Sequence, residues 1–134
     1  MTIFKAYDIR GIYPSQINEE LIYKIGRAFV LLLKCREVVI GRDARDSSPS
    51  LFNALTRGIT DQGASVVDIG LSTSPMLYFA ASKAEAAIML TASHNSKEYN
   101  GLKLCQKNCI PIRYDTGINK IKAVNRSIKT MDIA

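Results

Sequence analysis

The sequence predicts an α/β fold: a three-layer α/β/α domain on a mostly parallel mixed sheet of about four strands plus an edge hairpin. Three observations carry that expectation. Short apolar or β-branched runs alternate with stretches of helical period, the pattern of repeated βα units. Two serine-proline pairs, Ser48-Pro49 and Ser74-Pro75, read as helix starts. The run 86–90, Ala-Ala-Ile-Met-Leu, carries no polar side chain, as expected for a strand covered on both faces.

Taken in order, Leu21, Ile25, Ala28, Phe29, Leu32 and Leu33 recur at helical spacing and predict a helix over 19–34. Asn18 is its cap, and Glu19 and Glu20 occupy the first turn, where the helix dipole favours acid. Val38, Val39 and Ile40 form a short strand. Ser48 then caps a second helix with Pro49 at its first position. That helix runs to Gln62, and Gly63 supplies the left-handed residue that ends it. The run 66–69 is the next strand, and Ser74-Pro75 opens a helix ending near Lys83. After the strand 86–90, the runs 102–105 and 109–112 read as a hairpin turned by Gln106, Lys107 and Asn108. Asp115 or Thr116 starts a final helix, so that 113–134 is a terminal helix or tail.

A chain of 134 residues fits one domain, since domains peak at roughly 100 to 150 residues. With 47% hydrophobic and 22% charged residues, and no glycine or proline tract, it is not a disordered chain. No run approaches the roughly 18 apolar residues of a membrane span, so no membrane partner and a cytoplasmic setting are expected. Cys35, Cys105 and Cys109 are odd in number and lack zinc-ligand spacing, which favours reduced structural thiols. The formal charge of +6 raises nucleic acid as a partner. Several of the cations, Lys103, Arg113, Lys120, Lys122, Arg126 and Lys129, lie toward the carboxyl end, and no aromatic-interleaved basic sheet accompanies them, so nucleic acid is not expected.

The segment Thr91-Ala-Ser-His-Asn-Ser-Lys-Glu-Tyr99, followed by Asn100-Gly-Leu-Lys103, holds the chemistry. The strand before it delivers Ser93 to a sheet's carboxyl end, where α/β domains bind ligands. A serine needs a base or an electrostatic clamp to become a nucleophile. Adjacent residues in a tight loop point apart, so His94 is not simply its base, and a satisfied loop histidine is equally compatible. Phosphoryl transfer suits the composition, because it asks a protein for positioning and positive charge. Arg10, Arg42, Arg45, Lys97 and Lys103 offer that charge. Arg10 has the planar fork for a bidentate phosphate contact, and Lys103 a compact ammonium able to move a proton. The plainer alternative pairs Arg10, Arg42 and Arg45 with Asp8, Asp43 and Asp46 on the surface.

These residues resemble the active-site loop of the α-D-phosphohexomutases, Thr-x-Ser-His-Asn-Pro, a short gap, then Tyr-Asn-Gly-x-Lys. Phe4-Lys-Ala-Tyr7-Asp-Ile-Arg10-Gly11 is similar to the opening of the bacterial phosphomannomutase/phosphoglucomutase group, and Gly41-Arg-Asp-Ala-Arg-Asp-Ser-Ser48 to its second landmark. The resemblance covers about 3–104 and identifies the chain, over 1–134, as the first of four consecutive family domains. It implies that Ser93 carries a phosphoryl group exchanged between the 1- and 6-positions of a hexose phosphate, mannose or glucose, through a bisphosphate. Ser93, His94, Lys103 and Arg10 then form the catalytic set, while Tyr7, Arg42, Asn95 and Asn100 are the substrate- or phosphate-binding set, within which Asn95 and Asn100 hold the loop.

It further implies magnesium, with Ser93 the one ligand on this chain because the family's Asp-x-Asp-x-Asp loop belongs to the second domain, and a hexose 1,6-bisphosphate as activator. Partners implied are a hexose phosphate and the remaining mutase domains or a second copy. Little or no turnover is expected of the chain alone. Ser96 replaces the family's usual proline, which predicts a less stiff loop. A non-catalytic phosphate-binding or interaction module is the alternative.

Overall fold

In the computed structural model, which describes residues 2–126, the elements run β1 (Ile9–Ile12), α1 (Glu19–Leu33), β2 (Glu37–Arg42), α2 (Ser48–Asp61), β3 (Ser65–Leu71), α3 (Ser74–Ala80), β4 (Ala87–Leu90), β5 (Tyr99–Gln106), β6 (Ile110–Pro111) and α4 (Ile118–Asn125). One mixed sheet has the order β1-β5-β4-β2-β3, with β6 pairing the far end of β5. β2 is parallel to β3 and to β4, while β5 runs antiparallel to β4, β1 and β6.

Connection handedness turns this order into three layers. β2 to β3 steps outward along the sheet and β3 to β4 steps back, so right-handed crossovers put α2 and α3 on opposite faces. The α1 crossover runs in the same sense as that of α2 and joins its face. Strand alternation then divides the core. Val38, Ile40, Ile88, Leu90, Leu102 and Leu104 point toward α1, α2 and α4, whereas Val39, Ala87, Met89 and Cys105 point toward Leu77 and Ala81 of α3 and the turn after it. The strand expected to be covered on both sides is buried at all four positions of β4.

Several boundaries differ from the sequence reading. The sequence reading assigned no element to β1, whose apolar pattern Arg10 and Gly11 interrupt. The strand forms because Gly101 lets its backbone come close: a Cβ there would strike Ile9 O. β1 makes β5 an interior strand, and only β6 of the hairpin lies at an edge. The cap of α2 is Ser47, with Ser48 already helical and no side-chain cap bond. α3 is capped by Thr73, whose Oγ1 accepts the Met76 N–H at 3.3 Å, and it ends at Ala80 rather than near Lys83. α1 ends one residue before the expected 34, as Lys34 adopts φ 52 and closes it. The last helix begins at Ile118, after a single 3-10 turn over Tyr114–Thr116 and Gly117. The remainder of the expected tail, 127–134, lies outside the described residues.

Candidate active site

β4 and β2 end side by side, and the first residues past their ends lock together. Thr91 Oγ1 donates to Asp43 Oδ2 at 2.6 Å and accepts the Ser93 N–H at 3.0 Å. Ser93 is thereby held at φ 55, a left-handed conformation uncommon for a residue with a Cβ, and its side chain is exposed. Strained backbone of this kind persists only where its surroundings over-determine it.

Arg45 does most of that. Its guanidinium donates to Ser93 O at 2.8 Å, Asn95 O at 2.9 Å, Ser96 O at 2.7 Å and Tyr99 O at 3.0 Å, while Nε meets Asp43 Oδ2 at 3.0 Å. Five donors in a fixed fork are therefore all directed at the loop and its neighbour. The side chain is only 11% exposed. Asp43 also accepts from Ser48 Oγ at 3.1 Å, so the clamp reaches the start of α2. Ser96 contributes a carbonyl to this clamp.

The expected site residues divide into three groups. Tyr7, Arg10, Ser93 and Lys103 line one cavity of about 620 Å³, together with Lys5, Asp8, Tyr78 and Cys105. Arg10 Nη1 donates to Asn95 Oδ1 at 2.8 Å, and Nε lies 3.3 Å from Asp8, a buried carboxylate. Lys103 is half-buried, and among the described residues no carboxylate lies within ion-pair distance of it. Tyr7 is 71% exposed at the cavity rim. Burial raises the phenol of Tyr78, and burial with the neighbouring Cys109 pushes Cys105 up to about 11. Cys105 is thus a neutral thiol in the wall.

Asn95 and Asn100 hold the loop. Asn100 is fully buried; its Nδ2 donates to Ser47 Oγ at 2.8 Å and Ser48 Oγ at 3.1 Å, and its Oδ1 accepts the Gly101 N–H at 2.9 Å. Its amide is engaged inside the fold and out of reach of a ligand.

Arg42 and His94 stand apart. Arg42 leaves β2 on the α2 side, pairs with Asp68 at 2.9 Å and stacks on Phe52 with its Cζ 4.4 Å from the ring centre. Strand alternation sends it to the face opposite Lys103. His94 is exposed beside Ser93 and does not line the cavity. Among the described residues no three His, Cys, Asp or Glu side chains converge as a metal cluster. Asp43 is engaged by Thr91, Arg45 and Ser48, and Asp8 by Arg10, so the residues present do not fit an enclosed magnesium site. Asp43 and Arg45 form a positioning pair; the sequence left Arg45 open between charge for a phosphoryl group and a surface ion pair, and neither alternative includes the clamp.

Residues 1–131 match the family described as phosphoglucomutase/phosphomannomutase, alpha/beta/alpha domain I. A phosphomannomutase of Klebsiella pneumoniae is 47% identical over 124 residues, covering 91% of this chain and 79% of that protein. One from Vibrio cholerae is 40% identical over 140 residues, covering 99% of this chain and 30% of that one. Among solved structures, a phosphoglucomutase/phosphomannomutase family protein from Burkholderia thailandensis superposes with a TM-score of 0.87 at 35% identity, over 95% of this chain and 31% of that one. The chain thus spans less than a third of the Vibrio and Burkholderia proteins. Matched along nearly all its length by sequence and by fold, this chain belongs to the phosphoglucomutase/phosphomannomutase family and is an alpha/beta/alpha domain I of it.

Proposed function

We propose that this domain supplies the phosphoryl-carrying serine of a hexose phosphate mutase acting on mannose or glucose phosphates. The observation that carries the reading is the convergence of Ser93, Arg10 and Lys103 on one cavity beneath a loop clamped by Arg45. Ser93 Oγ attacks a phosphorus of a hexose 1,6-bisphosphate, the activator; the bond from that phosphorus to the sugar oxygen breaks and the oxygen takes up a proton. In the return step a sugar hydroxyl attacks the phosphoserine, gives up its proton, and Ser93 recovers one as the phosphorus leaves it.

Lys103 lines the cavity with no carboxylate partner among the described residues and suits that proton movement and the charge of the transferring group. Arg10, held by Asn95 and Asp8, presents its remaining N–H groups to phosphate oxygens. Tyr7 contributes at the rim, while His94 stands exposed beside Ser93, outside the cavity lining. Arg42 has no place in this scheme. Phosphorylated Ser93 would be this chain's one magnesium ligand, and the ion would supply neutralisation of the charge on the transferring group. Turnover requires both ends of the sugar to be held, so the isolated chain is expected to phosphorylate without isomerising, unless the remaining mutase domains or a second copy completes the cleft. The described helices include none long and apolar enough to cross a membrane. A cytoplasmic setting suits three free thiols.

The test is intact mass after incubation with glucose 1,6-bisphosphate and magnesium. A gain of one phosphoryl group in the chain and none in Ser93→Ala is expected. No gain, even with the later domains of a relative added in trans, refutes the phosphoserine reading and leaves a phosphate-binding module.

A further inference from the structure

One cation of the cavity has no part in the scheme above. Phe4 bridges Ile9 in antiparallel fashion, Ile9 faces Leu102, and Leu102 faces Leu90, giving an apolar row across the sheet under α1 and α2. One position along, the same registers give a row on the other face: Met89, Lys103, Asp8, Lys5. The turn is fixed by Lys5 N–H donating to Asp8 O at 2.8 Å and Arg10 N–H to Ile3 O at 2.9 Å. Lys5 and Lys103 therefore flank Asp8 on one face, their backbones about 10 Å apart across two strand spacings.

Three cations of the cavity, Lys5, Arg10 and Lys103, face one carboxylate, Asp8. Asp8 is paired with Arg10, which leaves Lys5 and Lys103 with no ion-pair partner among the described residues. Both are half-buried. Two unpaired ammonium groups bracketing a cavity gain most from an anion placed between them, because burial weakens the screening that lets exposed lysines stand alone.

We propose that Lys5 is a further ligand-binding residue, meeting a phosphorylated sugar from the side opposite Lys103. The assignment rests on the mutase reading for the identity of the ligand, but not on phosphorylation of Ser93. Calorimetric titration of the chain with glucose 1,6-bisphosphate is the test, with intact mass measured on the same samples. Lys5→Met is expected to weaken binding about tenfold, the scale of one charge-assisted contact. Lys5→Arg is expected to restore most of it, and Lys120→Met on α4 to change nothing. Equal melting temperatures of Lys5→Met and the parent separate lost binding from lost fold. Binding that weakens in Lys5→Met while no sample gains mass supports the role of Lys5 and shows that the isolated chain does not phosphorylate itself, leaving phosphoserine to the test with the later domains added in trans. Phosphorylation of Ser93 with binding unchanged in Lys5→Met overturns the role of Lys5 and leaves phosphoserine standing. Absence of binding by the parent chain at millimolar probe overturns it as well.

Discussion

At the scale of single residues, the chemistry-bearing side chains were legible and their supports were not. Ser93, Lys103, Arg10 and Tyr7 are in motifs that any reading singles out. Arg45 and Asp43 were equally visible, yet two charges two residues apart read as a solvated pair, and that pair does form at 3.0 Å. What the sequence hides is that Arg45 also reaches carbonyls 48 to 54 positions away. Asn100 was legible in part: the loop-holding role the resemblance implies agrees with its burial and its bonds to Ser47 and Ser48, which a place among ligand contacts does not suggest. The clamp has a sharp consequence. Lysine has three donors on a flexible stem and cannot replace a fork aimed at four carbonyls and a carboxylate. Arg45→Lys is expected to fold, to lose about 2 kcal/mol of stability in urea as carbonyls lose their donors, and to acquire phosphoryl at Ser93 at least tenfold more slowly. A time course of intact mass at the parent rate would show that the loop does not depend on Arg45.

At the scale of elements, helix existence followed from periodicity and proline; the Asn18 cap of α1 held, while the caps of α2 and α3 slipped by one residue. Ser48 and Ser74 look like caps because proline follows each, but Ser47 and Thr73 hold the cap positions. Around α2 the serine hydroxyls serve the site instead: Ser47 accepts from Asn100, and Ser48 accepts from Asn100 and donates to Asp43. Two glycines inside helices, which propensity alone penalises, mark where α1 and α2 cross. A Cβ on Gly58 would strike Tyr23 O and lie 3.3 Å from Arg27 N, and one on Gly26 would lie 2.9 Å from Leu55 O. The obstacles are backbone, so no side-chain rotation relieves them. Gly58→Ala gains up to about 1 kcal/mol of helix propensity, yet is expected to destabilise the domain by roughly 2 kcal/mol net, since forcing the helices apart opens a close-packed core. A urea midpoint equal to or above that of the parent would mean the helices have room to separate.

At the scale of the whole molecule, the three layers were readable from the alternation of elements, but their inequality was not, because it depends on strand order. Only one crossover, β3 to β4, runs in the reverse direction, so among the described helices one face of the sheet receives α1, α2 and α4 and the other receives α3 alone. α1 buries seven of its 15 residues; α3 has seven residues and buries only Leu77, while Met76, Tyr78 and Phe79 are exposed, Phe79 by 87%. Helices of that length gain little from propensity and depend on packing, so the second face should open before the first. Native-state hydrogen exchange reads this directly. Amides of β2, β4 and α1 are expected to exchange only through global unfolding, and those of α3 through a local opening about 2 kcal/mol or more less costly. Phe79→Ser should leave that difference intact, since its ring packs on nothing inside, whereas Leu77→Ala should widen it. Because Tyr78 of α3 lines the cavity that holds Ser93 and Lys103, a bound sugar bisphosphate should slow exchange in α3 more than in α1. Uniform exchange across both faces would show that the thin layer is as firmly held as the thick one, and that the cavity wall is rigid before any ligand arrives.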